Sequence, residues 1–352
     1  MNRLIIFLML FKLPALSFAG TVEPIQLKLN DHSNPMGIEP GKPVFSWNLQ
    51  SSERGQLQTA YELRVAKDVK DLFSGKDLVW NTGKILDSRF FGIEYQGQPL
   101  ESMTRYYWTV RVYGKNGIAS AWSHPAYFET GLLKPEDWKA KWIGDGKPNF
   151  SSDAEFYQTD PMPVLRRKIN INKKVKEARL YISGLGYYEA YINGEKIGDR
   201  VLEPGFTNYS KQIQYSVYDV TTQFRKGENV LGVMLGNGWY NPLPLKLFGR
   251  FNLREHLVTG RPKVLAQYQL LFTDGTVQTI MTDENWETAR GPITRNNIYL
   301  GEEYDAQLEK DFRSKEGWSK ALVVDGPIGS LVIGPQPPIR ITGSIKPISK
   351  KK

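Results

Sequence analysis

No cysteine occurs among the 352 residues. That absence excludes a disulfide framework and a cysteine-linked lipid anchor. A chain of this length does without cross-links, because it can build two domains that each bury a core. Histidine is almost as scarce. His32, His124 and His256 are the three present, and they lack metal-ligand spacing. No G-x-S-x-G elbow occurs. Gly184-Leu185-Gly186 leads into a strand pattern rather than a helix, which excludes a dinucleotide fingerprint. No window longer than roughly 12 residues carries apolar residues at helical spacing.

A basic stripe is missing as well. The formal net charge is +9, but Arg3 and Lys12 fall in the leader described next, and Lys350, Lys351 and Lys352 form a terminal run. The other four charges of that excess are scattered. Tryptophan and tyrosine recur at strand spacing rather than beside basic clusters, so nucleic-acid binding lacks its electrostatic footprint.

What is present begins with a targeting segment over residues 1–19. Met1-Asn2-Arg3 gives a basic start, Leu4–Phe11 is an apolar run, and Ser17-Phe18-Ala19 makes a small-x-small cleavage site before Gly20. The run falls short of the about 20 apolar residues that a membrane span needs. The expectation is an exported protein, periplasmic or extracellular, with no membrane span.

Residues 20–133 form the expected first domain. Val44–Leu49, Ala60–Ala66, Leu78–Thr82, Phe90–Ile93, Arg105–Val112 and Ala126–Glu129 read as short strands between turn-rich segments, the pattern of a small sandwich. Trp47, Trp80 and Trp108 are read as core rather than as a sugar-stacking platform. Thr130-Gly131-Leu132-Leu133-Lys134-Pro135 is the linker. The second domain is expected over 134–340, with 341–352 as a tail opening a further domain.

The second domain is organised around Leu180–Tyr240. Leu180, Ile182, Tyr188, Ala190 and Ile192 keep the period of a strand with one buried face, interrupted at Gly184 and Gly186. Asn193-Gly194 predicts a hairpin, because a type I′ turn needs positive φ at both central residues. Pro163–Ile171 reads as a strand, Val264–Thr273 and Thr276–Met281 as a hairpin around Asp274-Gly275, and Ile298–Gly301 as strand-like. Asn241–Arg261 is irregular and rich in proline and glycine. A loop of that length inside a compact domain is commonly functional. The fold class is therefore all-β: two sandwiches in tandem, the first fibronectin type III-like, the second larger and jelly-roll-like.

Two chemistries are weighed. Glycoside hydrolysis needs two carboxyl groups about 5–10 Å apart. Glu303 and Asp305 stand two apart, which on a strand places them about 6–7 Å apart on one face. They are read as a turn or ion-pair site in GEEYDA rather than as a catalytic pair. Sugar binding needs aromatic faces with a few placed polar groups, which loops at one end of a sandwich supply. Phe206, Tyr209, Asn237, Trp239 and Tyr240 are the candidates, and for Trp239 a core role stays open.

Several segments together resemble a known family. GLGYYEAYINGEKIGD, LEPGFTNY, YDVT and GENVLGVMLGNGWY are similar, in order and spacing, to the N-terminal β-domain of bacterial α-L-rhamnosidases. NPMGIEPGKPVFSWNL, YYWTVRVYGKNG and WSHPAYFETGL resemble the fibronectin-type module that precedes it, and GPITRNNIYLGEEYDA and PPIRIT also fit. The resemblance covers residues 25–347. It implies a rhamnose-containing glycan as partner and an inverting hydrolase whose acid and base lie in a helical barrel beyond Lys352, so this chain is expected to be a non-catalytic portion. It further implies that such a β-domain can bind rhamnose with calcium, for which Asp199, Glu303 and Asp305 are the candidate ligands; no other cofactor is expected. A free-standing carbohydrate-binding protein is the alternative, and an enzyme using Glu303 and Asp305 directly is a third.

Overall fold

A computed structural model describes residues 22–39, 41–247 and 249–349. The leader read over 1–19 and the terminal lysines lie outside the described residues. The chain divides into two compact units. Of the described residues, the smaller comprises those up to Pro35, Gly41–Leu100 and Arg105–Glu129; the larger comprises those from Met36 to Glu39, Glu101–Thr104 and those from Thr130 on. Among the described residues the α-helical segment is Val69–Ser74, and nearly all other regular structure is strand.

In the smaller unit one sheet runs in the order Glu23–Leu29, Val44–Gln50, Ile93–Glu94. The other carries Ala126–Thr130, Arg105–Gly114, Gln58–Ala66 and Leu78–Asn81 side by side. Alternation along Arg105–Gly114 decides what faces inward: Tyr106, Trp108, Val110 and Val112 are each at most 1% exposed, as a period of two requires. Thr109 points the other way yet is buried, its hydroxyl donating to the Ser123 carbonyl at 2.9 Å. Trp47 is buried too, and its indole N–H donates to Gln58 Oε1 at 3.0 Å. The core reading of Trp47 and Trp108 is thereby observed. The segment read as a strand over Phe90–Ile93 joins the sheet as a strand only at Ile93, although the Phe90 carbonyl accepts the Trp47 N–H at 2.9 Å.

The larger unit stacks two sheets. One runs Glu195–Lys196, Tyr187–Ile192, Gly227–Gly236, Pro163–Ile171, Glu287–Arg290, Ser319–Lys320. The other runs Leu322–Val323, Ile143–Gly144, Lys263–Phe272, Val175–Leu185, Gln212–Asp219, Ser330–Ile333, with Val277–Met281 also paired to Lys263–Phe272. Leu231, Val233 and Leu235 from the first sheet meet Leu180, Ile182, Ala266, Tyr268 and Leu270 from the second in one buried cluster, closed by Trp286. Residues two apart share a face, so each of these runs turns one side to the core. The Asn193-Gly194 turn forms as expected, with φ of 56° and 87°, and joins Tyr187–Ile192 to Glu195–Lys196.

Two expectations are corrected. Val175–Leu185 passes through Gly184 without a break, and the interruption falls at Gly186 alone. Ile298–Gly301 is not a strand: Ile293–Asn297 pairs with Gly301–Tyr304, and Ile298-Tyr299-Leu300 is the turn between them. Gly301 at φ 77° supplies the left-handed residue that lets the chain reverse there.

Candidate carbohydrate-binding surface

A close backbone approach builds the site. Gly186 has φ 95°, and a Cβ on it would lie 2.2 Å from the Gly236 carbonyl oxygen. With no side chain at that point, the turn after Val175–Leu185 packs directly on the turn after Gly227–Gly236, which carries Asn237, Trp239 and Tyr240.

Aromatic rings then follow one another. Tyr240 and Tyr209 stand edge-on at 5.4 Å, Tyr209 and Phe206 edge-on at 5.8 Å, Phe206 and Trp239 tilted at 5.5 Å, and Trp239 and Tyr299 edge-on at 6.0 Å. Four of the five ring-bearing or amide residues expected from sequence are thus joined, and Tyr299 extends the row. They do not play equal parts. Tyr209 and Tyr240 are each 4% exposed and pack with Leu185 and Ile213. Burial pushes both phenols above their ordinary range, so each is neutral and braces the row from behind. Phe206 and Tyr299 are 44% and 47% exposed, and Trp239 between them is half-buried. Flat, partly open rings with polar groups beside them suit the C–H faces of a sugar.

Asn237, the fifth expected residue, is a brace. Its backbone N–H donates to Asn296 Oδ1 at 2.7 Å, its side-chain N–H to the Asn296 carbonyl at 3.0 Å, and its own Oδ1 accepts from Asn241 at 2.8 Å. Arg254 continues the chain of bonds, donating to Asn241 Oδ1 at 3.0 Å and to the Pro242 carbonyl at 2.7 Å while lying over the Phe156 ring at 4.0 Å. The segment read as irregular over Asn241–Arg261 is therefore tied down at its start. It also contains a small paired stretch, Lys246–Leu247 with Phe251–Asn252.

Glu303 and Asp305 are separated by the end of their strand. Glu303 is ion-paired with Arg295, whereas Asp305 caps the turn Ala306–Leu308 by accepting the Gln307 N–H at 2.9 Å. The turn and ion-pair reading describes both. Asp199 is paired with Arg340 at 2.9 Å. Among the described residues no three histidines or carboxylates are grouped as a metal site. Asp199, Glu303 and Asp305 are thus not gathered, and they do not fit a calcium ion that wants six to eight oxygens in one place.

Beside Leu300 a shallow, solvent-open surface depression is lined by Tyr157 and Leu243 together with residues 295–297 and 301–303 of the hairpin. Reading by sequence missed Tyr299, Asn296 and Asn297, because Ile298-Tyr299-Leu300 looks apolar enough for a strand. The available signal was Asn-Asn ahead of that run and Gly after it, the residue types that open and close a turn.

Comparison with known proteins now places the chain. Residues 173–343 belong to the α-L-rhamnosidase N-terminal domain family, and residues 24–134 to the Rha78A-like N-terminal immunoglobulin domains. A curated α-L-rhamnosidase of Formosa agariphila is 41% identical over 295 residues, 80% of this chain and 31% of its own length. One from an Alteromonas species is 35% identical over 316 residues, 88% of this chain and 33% of its own length. The solved α-L-rhamnosidase of Dictyoglumus thermophilum superposes with a TM-score of 0.84 at 38% identity, over 93% of this chain and 37% of that one. The chain spans about a third of the length of the relatives it matches. Among the described residues no helix is long and apolar enough to cross a membrane.

Proposed function

We propose that the chain is a non-catalytic portion of an exported α-L-rhamnosidase, and that its larger sandwich presents Phe206, Trp239 and Tyr299 to a rhamnose-containing glycan. One observation carries this: two domain types found at the N-terminal side of rhamnosidases match in tandem, while the chain spans about a third of those relatives. In the whole protein, terminal α-L-rhamnose would be released by inversion in a helical barrel, with an acid protonating the glycosidic oxygen and a carboxylate activating water. The leader over 1–19 supports delivery to the periplasm or the exterior. A free-standing carbohydrate-binding protein is the second reading, favoured by the exposure of the same rings. No cofactor is required in either, and calcium enters as a variable of the test.

The test is hydrolysis of an aryl α-L-rhamnoside by the purified chain, with and without calcium, beside a titration with L-rhamnose followed by tryptophan fluorescence. No turnover and a saturable fluorescence change are expected. Turnover that disappears in Glu303→Gln would make this a compact sandwich glycosidase and overturn the proposal.

A further inference from the structure

We infer that Arg254 is a binding site for an oxyanion, a carboxylate or a sulfate, held along the Nε and Nη2 edge of its guanidinium. The inference goes beyond the proposal above and calls on none of the exposed rings. It starts from a difference among the arginines. Among the described residues, every other buried or part-buried arginine has a carboxylate oxygen within 4.0 Å. Arg166 has Glu287 at 2.8 Å, for example, and Arg261 has Asp145 at 2.8 Å. Part-buried Arg254 has none. Its Nη1 donates to Asn241 Oδ1 at 3.0 Å and to the Pro242 carbonyl at 2.7 Å, and the Phe156 ring covers one face at 4.0 Å. Neutral groups thus occupy one edge and one face. Nε and Nη2 make no hydrogen bond among the described residues, and neither is sealed from solvent.

That free edge carries parallel N–H groups at the spacing that the two oxygens of a carboxylate or sulfate accept as a pair. The surroundings favour negative charge. Burial pushes the Arg254 guanidinium below its ordinary range, and the pull of Asp153 only partly offsets this. An anion brought to the guanidinium stabilises its charged form. Lys246, Arg250 and His256 lie exposed in the same loop, where exposed Glu255 is the one acid. A cation is repelled there, and a neutral sugar supplies no charge. The bonds of Arg254 also link it to a reporter. Asn241 Nδ2 donates to Asn237 Oδ1 at 2.8 Å, two residues before Trp239, so a displaced Arg254 disturbs the turn that carries that ring.

The 352-residue chain, labelled with ¹⁵N, is titrated at constant ionic strength with sodium sulfate and with methyl β-D-glucuronide. The Nε–H resonance of Arg254 and the fluorescence of Trp239 are followed together. Both are expected to change along one saturation curve, and methyl β-D-glucopyranoside, the neutral counterpart, is expected to leave them still. Arg254→Met should weaken binding about tenfold or more. Arg254→Lys, which keeps the charge and loses the paired donors, should fall between. A response to both anions supports a site for oxyanions in general, and a response to the glucuronide alone supports one for an acidic group carried on a sugar. Shifts no larger than sodium chloride gives at the same ionic strength overturn the inference. Binding unchanged in an Arg254→Met chain that melts cooperatively also overturns it. An equal response to the neutral glucoside overturns the assignment to charge.

Discussion

In the smaller unit two of the three strand tryptophans are swallowed: Trp47 and Trp108 are each 1% exposed, Trp108 stands edge-on to Phe45 at 4.8 Å, and Trp80 is part-buried. In the larger unit the core is filled mainly by aliphatic residues around Trp286, while Phe206, Trp239 and Tyr299 lie open at the loops. The difference follows from position along the chain. Trp47 and Trp108 sit within strands, where a period of two commits every second residue to the interior. Phe206, Trp239 and Tyr299 sit in turns, which carry no such commitment and run over the surface. The strand tryptophans Trp47 and Trp108 therefore serve the core, whereas the turn aromatics Phe206, Trp239 and Tyr299 keep part of their surface free.

The sharpest way to break that contrast is Trp108→Ala. Loss of a fully buried ring should cost about 3–5 kcal/mol, read as a fall in the denaturation midpoint of the smaller unit. A cost under about 1 kcal/mol would mean that this core is not packed as described.

Next comes the frame behind the exposed rings. Gly260 donates its N–H to the Tyr240 carbonyl at 3.0 Å, and Arg261 beside it is clamped between Asp145 at 2.8 Å and Asp160 at 2.7 Å. Arg261→Met leaves part-buried Asp145 without its ion-pair partner and Asp160 with Lys147 alone, and should destabilise by about 3 kcal/mol at neutral pH. The pH dependence has a definite sign. Burial pushes the Asp160 carboxyl up, but Arg261 and Lys147 outweigh it and hold it below its ordinary range. The stabilisation is then complete above the unfolded value of about 3.9 and is lost as the pH falls through the lower folded value. The gap between wild type and Arg261→Met should accordingly narrow on acidification. A gap that stays constant from pH 7 to pH 3 would refute the assignment.

The smallest stability effect is expected at Trp239→Ala, below about 1 kcal/mol because the ring is only part-buried and lies in a turn, together with loss of the rhamnose-induced signal. A large drop in stability would return Trp239 to the core and remove the contrast.

How much of this was readable beforehand varies by residue. Pro163–Ile171 is a strand with the bounds that its pattern gave, and Asn193-Gly194 turns as its composition demands. Tyr209 and Tyr240 were chosen with Phe206 and Trp239 on equal terms, since all four are aromatic residues near turns. Burial separates them, and burial depends on packing with Leu185, which lies 24 residues before Tyr209 and 55 before Tyr240. Tyr299 went unread because an apolar triplet in a tight turn looks like the start of a strand.

The sequence by itself determined the all-β class and the two-sandwich order, because period-two patterning and turn residues act locally and are written in the order they are used; the kinship with α-L-rhamnosidases was legible separately, as a resemblance of its motifs. Only the tertiary structure decided which rings stay open and where Glu303, Asp305 and Asp199 find their partners. Those outcomes depend on contacts between residues up to 141 positions apart, such as Asp199 with Arg340, and no local pattern encodes them.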